Sequence, residues 1–171
     1  MTRFKKFISV WIALLMFGLV FPGVFYLISA WLDQLLEFPP LMPEPYHLFA
    51  MAFTLTIGLF WILWAYSFLH FLGKGSPVEA FGVALYPTQQ LVTTGPYAYT
   101  RNPMIFGLML VLLGVALAAR SISGVVLVPI IALIAVAYIR KFEEPGLICR
   151  FNEEYIRYRS SVPILLPWLR A

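Results

Sequence analysis

Apolar residues fill four stretches of this chain almost without interruption, and the polar residues collect between and after them. The first stretch, 7–32 (FISVWIALLMFGLVFPGVFYLISAWL), holds no charge. At about 1.5 Å of rise per residue it is long enough to cross a hydrocarbon core of about 30 Å. Arg3, Lys5 and Lys6 ahead of it would also suit a signal peptide. The run is too long for that and no A-x-A-like site closes it, so a retained anchor is expected. Pro22-Gly23 predicts a kink within it. The second stretch is 48–72. The third and fourth, 104–119 and 122–139, are separated only by Arg120 and Ser121, which predicts a tight antiparallel helical hairpin. The third is short for a full crossing, so its N-terminal end is expected at the membrane surface. The expected class is all-α, a polytopic membrane protein with four transmembrane helices, the last two forming the hairpin. A cytoplasmic loop, 73–103, and a cytoplasmic tail with an amphipathic helix, 140–171, complete one domain over 1–171.

Composition agrees: 61% of residues are apolar and 12% charged, with a mean hydropathy of +0.86. A soluble domain carries about 25% charge, so disorder, a fibrous repeat and an ordinary water-soluble domain are excluded. The single cysteine, Cys149, excludes an internal disulfide framework and a cysteine zinc cluster. Charge adds an orientation. Arg3, Lys5, Lys6, Lys74, Arg101, Arg140, Lys141, Arg150, Arg157, Arg159 and Arg170 fall on the side that holds both termini and the long loop. Asp33, Glu37, Glu44 and Arg120 fall on the other. By the positive-inside rule, both termini, the loop and the tail are cytoplasmic. That places the chain in a bacterial or archaeal cytoplasmic membrane, or in an endomembrane of a eukaryote. Within the spans only His70 is ionisable, which argues against a channel, pump or proton-coupled transporter. Nothing points to nucleic acid or to an obligatory protein partner.

Polar chemistry therefore concentrates at the cytoplasmic face. The loop GKGSPVEAFGVALYPTQQLVTTGPYAYTRNP is too irregular for a long helix, and its aromatic residues Phe81, Tyr86, Tyr97 and Tyr99 argue against disorder. Asn102 suits an N-cap and Pro103 the first helical position. The third apolar helix would then aim its free N–H groups and positive dipole end at the loop, an arrangement able to hold a carboxylate or phosphate. The simpler reading is that Asn102-Pro103 only starts a helix. In the tail, Glu143-Glu144 follow the fourth stretch directly, beside Arg140 and Lys141, and Pro145 can begin a new helix. Leu147, Ile148, Phe151, Tyr155 and Tyr158 recur at helical spacing among charged residues. Alone, the glutamate pair reads as a solvated cap, His70 as an interfacial residue one turn from Tyr66, and Cys149 as packing. Gly114 and Ala118 form a small-xxx-small pair that suits a helix contact such as the hairpin.

Taken together, LVTTGPYAYTRNPMIFG (91–107) and EEPGLICRFNEEYIRYRSSVPILLP (143–167) resemble the integral-membrane methyltransferases that include isoprenylcysteine carboxyl methyltransferases and phospholipid methyltransferases. The family pattern is similar to G-[PV]-Y-x-x-x-R-[HN]-P-x-Y-x-G, then E-E-x-x-L-x-x-x-F-G-x-E-Y-x-x-Y, then V-P and a final proline. The first two apolar stretches match only in character. The resemblance implies methyl transfer from S-adenosyl-L-methionine to a hydrophobic or lipid-like small molecule among membrane lipids. It implies cofactor contacts at Gln89, Gln90, Leu91, Val92, Gly95, Tyr97, Arg101, Asn102, Pro103, Met104, Ile105, Glu143 and Glu144, and catalytic roles for Arg101, Glu144 and Arg140. Gly73 and Gly75 resemble a glycine pair of the phospholipid branch. Asn102 replaces a histidine of many relatives, Ile105 stands where tyrosine is common, Asn152 replaces a glycine, and Pro145 follows the acidic pair. No metal is implied. From a different class, the same residues fit a non-catalytic module whose basic tail recruits anionic lipid or a protein partner.

Overall fold

The structure, a computed structural model, describes residues 15–73, 79–80, 83–84 and 88–168. Arg3, Lys5, Lys6, the first half of the 7–32 stretch up to residue 14, Lys74, Gly75, Phe81, Tyr86 and Arg170 lie outside the described residues. A π-helical turn, Met16–Val20, leads straight into α1, Phe21–Leu35. Helix α2 is Tyr46–Phe71. Two-residue strands β1, Glu79–Ala80, and β2, Val83–Ala84, pair antiparallel with Glu79 opposite Ala84. A 3-10 turn, Gly95–Ala98, precedes α3, Pro103–Ala118. Helix α4, Ile122–Tyr138, continues through a second π-helical turn, Ile139–Glu143, into α5, Glu144–Ser161. Apart from the small ribbon, the described chain is helical, as the apolar runs predict.

Three helical segments are long and apolar enough to cross a membrane: Gly18–Leu35, Tyr46–Phe71 and Ile122–Ser161. Helix α3 is equally apolar but shorter, so the fourth expected crossing does not meet that length. The reason lies in how α3 packs. Its first turns meet α2 at Trp61, whose ring lies 5.0 Å from that of Phe106. A Cβ on Gly107 would lie 2.7 Å from the Gly58 carbonyl, and one on Gly58 would lie 2.8 Å from the Gly107 carbonyl. Helix α3 thus starts about nine residues, or about 14 Å, short of the end of α2. The remaining length of α2 is covered by the irregular segment before α3, where Val92 and Tyr97 pack around Ala65.

Small residues set this contact. Backbone-to-backbone approach at Gly58 and Gly107 leaves no room for a side chain, and Gly114, one heptad on from Gly107, faces Leu55. Gly114 therefore serves the α2 contact, and Ala118 is exposed, so the two do not form the unit their spacing suggests. Ala116 instead meets Gly124 of α4. The core gathers Phe25 of α1 with Leu108, Met109, Leu112 and Ala116 of α3, and α4 lies against it through Val128 and Ile131. Outward, Leu27, Phe53 and Leu133 are exposed, as suits a hydrocarbon solvent.

The α3–α4 turn is tied down by polar groups. Arg120 takes a positive φ of 56°; its Nε donates to the Met42 carbonyl at 2.7 Å, and its Nη1 lies 3.1 Å from Glu44 Oε1. Ser121 Oγ caps α4 by accepting from Gly124 N–H at 2.8 Å, and Asp33 Oδ1 accepts from Ser123 N–H at 2.9 Å. These satisfy first-turn donors that a helix cannot pair internally.

Both π-helical turns end two residues before a proline, Pro22 and Pro145. Proline lacks an N–H and its ring strikes the carbonyl four residues back. One residue of extra winding shifts the ladder, so that Phe21 N–H bonds Met16 O and Glu144 N–H bonds Ile139 O. Helix continues past the proline in each case. Pro145 therefore does not begin a separate helix. The break comes seven residues later, at Asn152, with φ 47° and ψ −127°.

Candidate functional site

The two segments singled out in the sequence meet in space, and the residues after α5 sew them together. Arg101 N–H donates to the Pro163 carbonyl at 2.9 Å, and Trp168 N–H donates to the Tyr99 carbonyl at 3.0 Å. Asn102 Nδ2 donates to the Ile164 carbonyl at 2.9 Å, which also accepts from Thr100 Oγ1 at 3.3 Å. The strand-like tail 162–168 thus runs as a strap along 99–102. Asn102 stands at the N-cap of α3 with no side-chain cap, because its amide is spent on the strap.

Under the strap sits a buried ion pair. Arg101 Nη1 donates to Glu144 Oε1, with side chains 9% and 3% exposed. Glu144 Oε2 lies 3.4 Å from Arg159 Nη1, and Arg101 Nη1 lies 3.5 Å from the Tyr155 hydroxyl. Glu144 and Arg159 are fifteen residues apart, about 22 Å along a straight helix. They pair because the chain turns back at Asn152, which folds the second half of α5 over the first. Arg101 Nε is buried without a hydrogen-bond partner. A buried donor left in that state costs about 1–3 kcal/mol and marks a place where an anionic acceptor fits.

Beyond the apolar run of α4, Tyr158 donates from its hydroxyl to the Tyr97 carbonyl at 2.7 Å. Burial pushes both phenols well above their ordinary range, and the Tyr97 and Tyr155 rings add to the effect at Tyr158. Both are neutral donors at physiological pH. Gly95 makes the close approach of this segment to α2 possible. It has φ +61°, and a Cβ there would lie 2.3 Å from the Phe68 ring.

The sequence-derived residues divide into groups. Arg101, Asn102 and Glu144 converge as polar partners. Val92, Tyr97 and Met104 converge as an apolar patch on α2, with Gly95 beside it. Pro103 is buried, and Ile105 packs against the core. Gln89 and Gln90 are exposed, with Gln89 N–H bonded to the Gly73 carbonyl at 2.9 Å, and Leu91 is half-buried. Glu143 is half-buried on the π-helical turn, where Arg140 is exposed with no ion pair among the described residues. His70 is exposed and stacks on Tyr66 at 5.8 Å. Cys149 is exposed, against its expected packing role. A cleft of about 670 Å³ opens between Thr93, Ala98 and Tyr99 on one side and Glu154, Arg157, Tyr158 and Trp168 on the other. None of the expected cofactor residues lines it.

Sequence reading missed Tyr155, Tyr158 and Arg159 as site residues. The signal for them is the E-Y-x-x-Y step, whose tyrosines are polar-tipped and not merely apolar. A family model described as phospholipid methyltransferase matches residues 46–154, well over half of the chain. Among curated proteins, none matches.

Proposed function

The chain belongs to the phospholipid methyltransferase family, and we propose that it carries a methyl group from S-adenosyl-L-methionine to a hydrophobic or lipid-like small molecule at the cytoplasmic membrane face. The observation that carries this reading is the meeting of 95–102 with Glu144 around a buried Arg101 at the start of α3. The residues fit the amino-acid end of the cofactor. Arg101, with its unpartnered Nε, and the uncapped N-terminus of α3 favour a carboxylate. Glu143, next in chain to the buried pair, would take the ammonium. When bound, the cofactor supplies a methyl group made electrophilic by its sulfonium.

The protein's own work is positioning. Glu144, held between Arg101 and Arg159, fixes the Arg101 fork and is not free to act as a base. The strap and Tyr158 close the backbone around the cluster and keep it dry, which strengthens each electrostatic contact there. Alignment of an acceptor that already has a lone pair then supplies most of the acceleration. In this reading the chain crosses four times, with α3 and α4 as a hairpin and both termini cytoplasmic. The acceptor then arrives laterally from lipid while the polar cofactor arrives from the cytosol.

Calorimetry on the full chain in lipid nanodiscs tests the reading. S-adenosyl-L-methionine is expected to bind, and Arg101→Ala and Glu143→Ala each to weaken it at least tenfold. Absence of binding, with Glu143→Ala indistinguishable from the parent, favours the lipid-recruiting module. Radiolabelled methyl transfer into lipid extracts identifies the acceptor class.

A further inference from the structure

Every contact that seals the Arg101 cluster comes from beyond Asn152. Tyr155 and Arg159 complete the ring around Arg101 and Glu144. Tyr158 holds the Tyr97 carbonyl, and the strap holds Tyr99, Thr100, Arg101 and Asn102. The first half of α5 is anchored differently, being continuous with α4 through the π-helical turn. Between the two halves lies one residue, Asn152, whose φ of 47° and ψ of −127° belong to neither helix. In this arrangement the cluster is closed, since Arg101 and Glu144 are over nine-tenths buried. A polar ligand reaches it only if something moves.

We infer that residues 153–168 form a lid, hinged at Asn152 and latched on the segment 97–102, which opens to admit the ligand of the Arg101 cluster. The latch consists of a few hydrogen bonds, the Arg159–Glu144 ion pair and the buried side chains of Tyr155, Tyr158 and Leu165; none of these belongs to the core cluster of α1, α3 and α4, so the latch releases without disturbing it. Backbone rotation concentrates at one residue, as hinges do. The inference rests on the methyl-transfer reading only for the identity of the ligand.

Two experiments separate the lid from that identity. The first is hydrogen exchange on the full chain in nanodiscs without cofactor. Peptides covering 153–168 and 95–102 should exchange together through one common opening, at least tenfold faster than peptides covering 144–151. Exchange of 144–151 in step with 153–168 overturns the hinge. The second starts from Cys149→Ser and adds Ala98→Cys and Ser161→Cys, which face each other across the cleft. A short cleavable bismaleimide then ties lid to loop, with tritiated S-adenosyl-L-methionine as the probe. Tying before loading should slow association at least tenfold, and tying after loading should slow release at least tenfold. Mere filling of the cleft cannot produce that trapping. Equal association and release before and after cleavage of the linker overturns the lid. Absence of binding in the untied protein counts against the methyl-transfer reading, and hydrogen exchange then decides the hinge alone.

Discussion

Asn152 occupies a backbone conformation that glycine reaches freely and a side chain does not. Relatives with a similar pattern carry glycine there, and the fold supplies the reason: the chain reverses at this residue. Holding a non-glycine residue in such a region costs about 1–3 kcal/mol. Glycine recovers part of that and gives back roughly 0.5–1 kcal/mol in unfolded-state entropy. Asn152→Gly is therefore expected to stabilise the protein by about 1 kcal/mol, and Asn152→Ala to destabilise it by a similar amount, read by thermal unfolding in detergent. The Arg101–Glu144 pair behaves differently. Glu144→Gln leaves two guanidinium groups facing a neutral amide, at a cost of about 3 kcal/mol for the buried one. The double variant Arg101→Met, Glu144→Leu should cost less than Glu144→Leu alone, since the cation it leaves without a partner, Arg159, is half-exposed. A double-mutant comparison of unfolding midpoints checks this. Arg101 and Glu144 are legible in the sequence through the family resemblance, since on its own the glutamate pair reads as a solvated cap. Arg159 is not, because a helical wheel assumes an unbroken helix, and on an unbroken helix Arg159 lies far from Glu144.

At the scale of elements, the apolar runs located the helices, but their lengths came from contacts that no run reveals. Helix α3 is short because glycines at 58 and 107 bring it against α2 partway along, and the loop fills what remains. Gly107→Ala would set a methyl group 2.7 Å from a backbone carbonyl of α2. Overpacking of that kind costs about 1–3 kcal/mol, so both Gly58→Ala and Gly107→Ala should lower the unfolding midpoint. Gly18→Ala and Gly23→Ala, where a Cβ meets nothing within 4 Å, should not. The two prolines are accommodated alike: each follows a π-helical turn through which the helix continues. The docking of α5 also carries a pH signature. Tyr97 and Tyr158 hold their protons above the ordinary phenol value of 10.0 in the folded state. Their contribution is fully present below that value, and it is lost as pH rises through the elevated folded value. Alkaline titration should therefore show phenolate absorbance from these two appearing together with loss of the α5 packing. Tyr158→Phe should leave the tail loosened already at neutral pH.

For the whole molecule, family membership and an apolar exterior agree on a membrane enzyme, and they differ in what they cover. The family match stops at residue 154, just short of Tyr155, Tyr158, Arg159 and the strap. The residues that close the site thus lie just beyond the matched stretch. The proposed orientation rests on charge, because translocating the basic loop and tail is far less favourable than retaining them. The single native cysteine makes that testable. Cys149 is exposed on the first half of α5, on the side that collects the basic residues. Glu44, whose side chain is 75% exposed, lies beside the α3–α4 turn at the opposite end of the bundle. A membrane-impermeant maleimide should label Cys149 in inverted vesicles and not in intact cells. Glu44→Cys in a Cys149→Ser background should show the reverse. In the proposed four-crossing topology an even number of crossings separates the two termini, and an odd number separates Cys149 from position 44, because α2, α3 and α4 lie between them. Labelling of both thiols from one side would require α3, the helix that falls short of spanning length, to enter and leave without crossing. The basic tail would then share a face with Glu44 and lie across the membrane from the loop to which it is hydrogen-bonded here.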